Sequence, residues 1–481
     1  MPDNQLQRIS GQKVVSASSA SSRLAGRIRP SVLLACLAGL AVLAYLAVNF
    51  VPSLRKAAVL QIAEIAGSVA EGYMVTSRPI EVTRVGDVVY QATGIANTHL
   101  IPTSEGNVIF DTGLATQAAE QRKVLEEAAG SGRVTHVILS HSHQDHVGGV
   151  ALWLDEETQV IAHAEFLEEQ RYLKELEPYL WKRNRRLFPW MPETPPASGL
   201  LEFGRVAPNV FVAGEESLSF EQGGIRFEVI STPGAEGADN VCLWLPDQKI
   251  LLSGDFFGPI FPQFPNIFTM RGEKTRKPIE YIRSLDRLIG LEPEIVIPSH
   301  LEPVHGHEQI KAAMIRMRDA VQYVHDQTVA GMNAGKTVYE LMEEVQLPPE
   351  LELSQIHGRV SWGVKSIWEY YATWFHHDST TELYSVPVRS LYPELAELAG
   401  SESLTARGRR HLEEGRPVES LHFAEIVLEG DPGSRSALEL RRDALMRLQV
   451  SAQESHENAF ELGWLDSRLR ETRESLDGDG S

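Results

Sequence analysis

The 481-residue sequence is long enough for one αβ domain of about 250 residues plus a smaller one, and its 43% apolar and 23% charged residues are those of a globular protein. A formal net charge of -20 argues against nucleic acid as a partner, because phosphates demand a basic face. Two cysteines, Cys36 and Cys242, allow neither a disulfide framework nor a CxxC zinc module, so any metal site must use His, Asp and Glu.

Residues 1–30 are rich in Ser, Gln and Arg and are expected to be disordered. Residues 32–51 carry no charge, and a helix of these 20 residues spans about 30 Å, the hydrocarbon thickness of a bilayer. A transmembrane helix is therefore predicted over 31–51. A cleaved signal core is shorter and ends in an A-x-A-like site, which is not found here. Arg8, Lys13, Arg23, Arg27 and Arg29 precede the span, against Arg55 and Lys56 just after it. This asymmetry predicts a cytoplasmic N-terminus, with everything after Pro52 on the periplasmic or extracellular side.

A short helix is expected over 54–72. Strand signals follow at 80–85, 88–92, 99–102 and 107–110, then a helix over 116–129 and an apolar strand over 134–140. The alternation continues with strands at 159–162, 225–231, 241–245, 250–253 and 294–297, which predicts a layered α/β domain over 73–310. The basic, aromatic stretch within 166–199, with Arg183, Arg185 and Arg186, reads as an insertion, a lid or a membrane-facing surface rather than a nucleic-acid patch. From about residue 309 only helical periodicity remains. Segments 307–332, 336–345 and 355–376 make a helical extension over 311–390. Five further helices, 391–398, 403–414, 417–429, 434–450 and 455–476, make a second helical region over 391–475. There 416–432 resembles one helical repeat unit. The pairs Leu421 with Leu428 and Leu438 with Leu445 form stripes that one short unit cannot bury alone, so a homodimer is expected.

The chemistry is concentrated in THVILSHSHQDHVGGV. His141 and His143 are two apart, so in an extended segment their imidazoles share a side, and Asp145 and His146 follow at the turn into a helix. Four ligands within six residues suit two adjacent cations, the arrangement of a two-metal hydrolase. A solvated His-rich turn would not be ordered this way between an apolar strand and Gly148-Gly149. His163 reads as a strand-end residue, and His376 and His377 as a solvated helix end.

With this motif the chain resembles the metallo-β-lactamase superfamily, which implies an αβ/βα sandwich with metals at the sheet edges. The segment NVIFDTG places Asp111 where the family orients a ligand histidine. STPGAE puts Glu236 next to the position of the usual histidine ligand. KILLSGD ends in Asp255, the expected bridging carboxylate, and EIVIPSH ends in His300, the expected last ligand. Among these families TPGAE is most similar to the alkyl sulfatases, which read TPGTE and place a second acidic ligand, usually Glu, 19 residues later; Glu236 and Asp255 are 19 apart. NIFTMRG is similar to the family's sulfate-holding segment and implicates Asn266 and Arg271, while VHDQT, LPP and YATWF also recur. Residues 395–471 resemble the family's dimerisation domain, and no sterol-carrier-like domain is expected. The resemblance implies one metal on His141, His143 and Glu236 and another on Asp145, His146 and His300, with Asp255 bridging. Two zinc ions are implied, manganese or iron being alternatives. Trp362 stands where the family has a histidine near the leaving group, leaving Tyr371 and His357 as substitutes.

The resemblance implies hydrolysis of a small anionic ester, an alkyl sulfate, by metal-activated water. Two dications set against Asp145, Glu236, Asp255 and a hydroxide, with Arg271 added, leave one positive charge, which suits a monoanion. The alternatives are another hydrolase on the same metals, acting on a thioester, lactone or phosphodiester, and a binding or assembly protein with a degenerate site.

Overall fold

The computed structural model describes residues 79–478 except 189–190, 192, 195–206 and 268. The predicted disorder over 1–30, the anchor over 31–51 and the helix over 54–72 lie outside the described residues. Among those described, no helix is long and apolar enough to cross a membrane.

Two sheets face each other. The first holds seven strands in sequence order, β1 (Val82–Val85), β2 (Val89–Ala92), β3 (Thr98–Thr103), β4 (Gly106–Thr112), β5 (Val134–Ile138), β6 (Gln159–His163) and β7 (Val210–Val212). It begins as an antiparallel meander and turns parallel from β4 onward. The second runs β13-β12-β11-β10-β9-β8, built from β8 (Ser217–Gln222), β9 (Ile225–Ser231), β10 (Val241–Leu245), β11 (Ile250–Gly254), β12 (Ile295–Pro298) and β13 (Val304–His305). Phe110, Ile138, Val229, Leu243, Leu252 and Ile297 fill the space between the sheets. Strands buried on both faces need continuous apolar runs, and VCLWL and ILLSG supply them.

Helices cover both outer faces, completing the expected αβ/βα sandwich. Helix α1 (Ala115–Ala129), stopped by Gly130 at φ 88°, packs on the first sheet with Leu100, Ile109 and Val137. Helix α2 (Gln144–Val147) carries the second half of the His-rich motif, and α3 (Phe166–Glu175) and α4 (Glu177–Asn184) occupy the predicted insertion. Helix α5 (Pro278–Ile289), opened by a proline at its first position, covers the second sheet together with α6 (His307–Asn333), α7 (Val338–Glu344) and α8 (Val360–Ala372). The remaining helices are α9 (Tyr392–Ala399), α10 (Ser401–Glu413), α11 (Pro417–Gly430), α12 (Arg435–Ser455) and α13 (Ala459–Gly478).

Three expectations are corrected. Strands β7 and β8 escaped the sequence reading, because β7 is three residues long and β8 alternates mostly exposed positions. The helix expected over 355–376 starts only at Val360, and Thr373, in the left-handed region, ends it. The apolar stripes assigned to a partner chain are covered within this one: Leu428 and Leu438 pack together between α11 and α12, and Leu445 meets Leu465 and Leu469 of α13 with Leu421 beside them. Exposed apolar surface lies instead before and along α9, at Trp374, Leu383, Tyr384, Val386, Val388 and Leu398.

Candidate metal centre

The site forms where the ends of β4, β5, β11 and β12 meet. Asp111 leaves β4 at φ 55°, a backbone region that strains a non-glycine residue. Its buried carboxylate takes up four groups. It accepts from Ser140 N and Ser140 Oγ, each at 2.8 Å, and from Ser299 Oγ at 2.8 Å, and it holds His146 Nδ1 at 2.9 Å. Beneath the motif the chain closes tightly. A Cβ on Gly148 would lie 2.3 Å from Ala115 N, and one on Gly149 2.3 Å from Thr112 O, so both glycines are sterically required. Asp239 accepts from Ser142 N at 2.8 Å and so fixes the segment between His141 and His143; burial pushes its carboxyl up to about 6.

The four predicted histidines share one arrangement, in which one ring nitrogen is tied to the protein and the other faces the centre. His141 Nδ1 is 2.9 Å from Ser140 Oγ, His146 Nδ1 is held by Asp111, and His300 Nδ1 by the carbonyl of Ile95. Inward, His141 Nε2 and His143 Nδ1 lie 2.8 Å apart. His146 Nε2 is buried with no hydrogen-bond partner, 3.4 Å from Asp255 and 3.6 Å from Asp145. His300 Nε2 is 3.2 Å from Asp255 and 3.7 Å from Asp145. Asp255 Oδ1 also lacks a hydrogen-bond partner. Such orphaned, convergent donors fit cations, since a buried polar atom without a partner otherwise costs about 1–3 kcal/mol. The residues assigned from the sequence as metal ligands are therefore brought together, with Asp255 between the two histidine pairs.

The two halves differ in charge. Around Asp145 and Asp255 only imidazoles lie within ion-pair distance among the described residues, and the electrostatics strain accordingly. Burial lowers the basicity of His300, yet Asp255 and Asp145 outweigh it and push it up to about 9; His146 is likewise driven well above its ordinary value. A dication held here would relieve this cluster directly. Around Glu236 the charge is already met. Arg276, almost fully buried, grips both of its oxygens at 2.9 and 2.8 Å, and Arg271 reaches Oε2 at 2.7 Å. Burial would raise the Glu236 carboxyl, but the two guanidinium groups hold it well below the carboxylate range. Glu236 Oε2 stands 3.9 Å from His143 Nδ1.

Asn266 and Arg271, expected to hold substrate, stand at this side. Asn266 is 4% exposed, and neither polar atom of its side chain has a partner. It lines a cavity of about 10 Å³ with Glu236 and Asp255, room for about one water. A larger apolar cavity of about 310 Å³ opens beside His300, lined by His357, Ile95, Ile260, Leu301, Ile356 and Ala459.

Four groups escaped the sequence reading: Arg276, Glu273, Asp239 and the placement of His357. The turn before α8 sets His357 Nε2 3.7 Å from Glu236 Oε1. Trp362 instead lies under Arg359, and Tyr371 is exposed and bonded to His325. Of the minor candidates, His163 bonds Ser231 at the strand end, and His376 sits between Glu369 and Glu382 rather than free in solvent. The start of α13 closes the site from the helical region. Asn458 donates to the carbonyls of Gln355 and His357, and Phe460 packs against the His357 ring and lies under Arg271.

Comparison with known proteins agrees with this geometry. Residues 92–300 match the metallo-beta-lactamase superfamily, and residues 337–464 match the alkyl sulfatase dimerisation family. The chain thus carries a metallo-β-lactamase superfamily domain followed by an alkyl sulfatase dimerisation domain. It is 29% identical to a linear primary-alkylsulfatase of Pseudomonas sp. over 65% of this chain and 63% of that protein. It is 24% identical to an alkyl/aryl-sulfatase of Saccharomyces cerevisiae over 80% of this chain and 63% of that one. In fold it is similar to a stereoselective inverting sec-alkylsulfatase from Pseudomonas sp., with a TM-score of 0.71 and 22% identity over 83% of this chain and 66% of that one. The chain therefore spans under two thirds of the length of these relatives.

Replacing Asp255 by Ala removes the carboxylate shared by His146 and His300. The variant is expected to lose bound divalent metal, measured as metal per chain after gel filtration. A variant retaining the full wild-type content would show that Asp255 is not a ligand.

Proposed function

We propose that the chain is a binuclear metal-dependent hydrolase that cleaves alkyl sulfate esters. The observation carrying this reading is the set of four imidazoles with inward nitrogens beside an apolar cavity. The similarity to alkylsulfatases supports the ester class. His141, His143 and Glu236 would hold one ion and Asp145, His146 and His300 the other, with Asp255 shared; zinc is the ion we favour, because all donors are nitrogen or oxygen. When bound, such ions lower the pKa of water towards about 7 and so supply a nucleophile near neutral pH.

The chain's own residues supply the rest. Arg271 and Asn266 bind and orient the ester's anionic oxygens. Counting Glu273 and Arg276 adds one charge of each sign, so the balance favouring a monoanion is unchanged. The apolar cavity takes the alkyl chain and excludes water from it. His357, whose Nε2 lies 3.7 Å from Glu236, would give a proton to the departing oxygen where the alcohol leaves, a role closed to Trp362, whose indole does not titrate near neutral pH. Proton donation of this kind contributes roughly 10²–10⁴-fold for a poor leaving group and much less for a good one.

Turnover of a panel of sulfate, phosphate, thioester, lactone and carboxylic esters tests the reading. Sulfate esters are expected to be cleaved best. Arg271→Ala should raise KM for them with metal content unchanged, and His357→Ala should slow dodecyl sulfate far more than nitrophenyl sulfate. If a neutral ester or lactone is preferred and Arg271→Ala leaves it unaffected, the alternative hydrolase stands. A chain that binds metal but turns over nothing would instead indicate a binding protein.

We further propose a homodimer joined through the exposed apolar segment from Trp374 to Leu398, supported by the dimerisation-family match. Residues 79–481 are expected to sediment as a dimer at micromolar concentration, and a monomer there would refute it. The uncharged run at 32–51 and its basic flank support a single membrane anchor with the catalytic domain exported. A periplasmic or extracellular reporter fused after Ser481 should then be active, and a cytoplasmic readout would contradict the topology.

A further inference from the structure

Glu273 lies in a charged stretch, RGEKTRK, of which only Arg271 was singled out from the sequence. In the structure it is one of the most engaged carboxylates. Its Oε2 lies 3.5 Å from His143 Nε2, the ring nitrogen that faces away from His141, and 2.8 Å from Arg276 Nη2. Its Oε1 lies 2.9 Å from Arg271 Nε. The side chain is 9% exposed, so these contacts are not those of a solvated surface charge.

This position completes the pattern of the other histidines. Ser140, Asp111 and the Ile95 carbonyl each hold the outer nitrogen of His141, His146 and His300. Glu273 is the group at the outer nitrogen of His143. An imidazole whose Nε2–H points at a carboxylate presents an unprotonated Nδ1 on its other side, and a carboxylate there also raises the ring's basicity as a ligand. The same carboxylate holds Arg271, the group proposed to bind the ester. One side chain thus orients both the ligand to one ion and the cation that meets the substrate.

We infer that Glu273 is a positioning residue that fixes His143 as an Nδ1 ligand and restrains Arg271, linking metal binding on the His141–His143 side to anion binding. The inference rests on the proposed binuclear site and assigns Glu273 no direct role in bond cleavage. Its effect falls first on the ion held by His141, His143 and Glu236, because Glu273 makes no ion pair with Asp145, His146, His300 or Asp255 among the described residues.

Zinc affinity, read by competition with a chromophoric chelator, tests this without reference to turnover. The wild-type chain should bind two ions. Glu273→Gln, which keeps the shape and removes the charge, should weaken one of them about ten- to hundredfold, the usual cost of losing such a partner, and leave the other within about twofold. His143→Ala should weaken the same ion. At saturating zinc, Glu273→Gln should raise KM for an anionic ester, in the same direction as Arg271→Ala but by less, because Arg271 loses one of the two carboxylates that orient it. Imidazole ¹⁵N spectra of the zinc-loaded wild-type chain provide an independent check that needs no variant: His143 should be protonated on Nε2 and ligated through Nδ1. Ligation through Nε2, or equal affinity of both ions in Glu273→Gln and wild type, overturns the inference and leaves the binuclear reading intact. A wild-type chain that holds no zinc overturns both.

Discussion

The carboxylate of Asp111 is the constraint on which the site depends. It sits at the end of β4 on a left-handed backbone, and its contacts reach the end of β5 through Ser140, the end of β12 through Ser299, and the histidine of α2. Two sheets and the metal-binding segment are therefore pinned to one buried ion. Such a charge is tolerated because both of its oxygens are occupied by donors; one unpaired there would cost several kcal/mol. The backbone strain at this residue is offset by four polar contacts, which is why a β-strand can end in a non-glycine at positive φ.

Around this anchor the centre separates into two electrostatic regimes. On one side Glu236 and Glu273 are matched by Arg271 and Arg276, and that quartet is balanced as it stands. On the other side, among the described residues, Asp145 and Asp255 have only imidazoles within ion-pair distance. The Asp145–Asp255 side thus has the greater need of a dication, whereas ligands on the Glu236 side must share their carboxylates with guanidinium groups. The proposed two-ion site is therefore asymmetric in charge.

Much of the centre was legible in the sequence because its parts lie at strand ends, where a short motif fixes local geometry. His141, His143, Asp145 and His146 follow the apolar strand β5 within eight residues, and their spacing alone marked them. Asp111, Asp255 and His300 were legible because NVIFDTG, KILLSGD and EIVIPSH resemble the family's motifs at strand ends. Glu273, Arg276 and Asp239 were not, because their roles arise from contacts across the fold: Glu273 meets a histidine 130 positions earlier. A run of alternating charges carries no mark that separates a buried network from a wet loop. The helical region shows the opposite error. Its heptad-spaced leucines were visible, but spacing alone does not say whether the covering face belongs to the same chain, and here it does. The turn before α8 was hidden by a helical pattern that continues through it, and with it the approach of His357 to Glu236.

The first turn of α13 has a bearing on how such chains can be divided. Asn458 clasps the backbone on both sides of Ile356, Ala459 donates to its carbonyl, and Phe460 lies against both His357 and Arg271. Part of the wall of the cavity beside His300 is thus supplied by a module that family comparison assigns to assembly. The two modules are separable as text and inseparable as a machine: recombination at the border between them would deliver a sandwich with its ligands intact and its pocket open to solvent. A substitution in the first turn of α13 would thus be felt at a cluster of histidines more than 300 residues earlier in the chain, around His141.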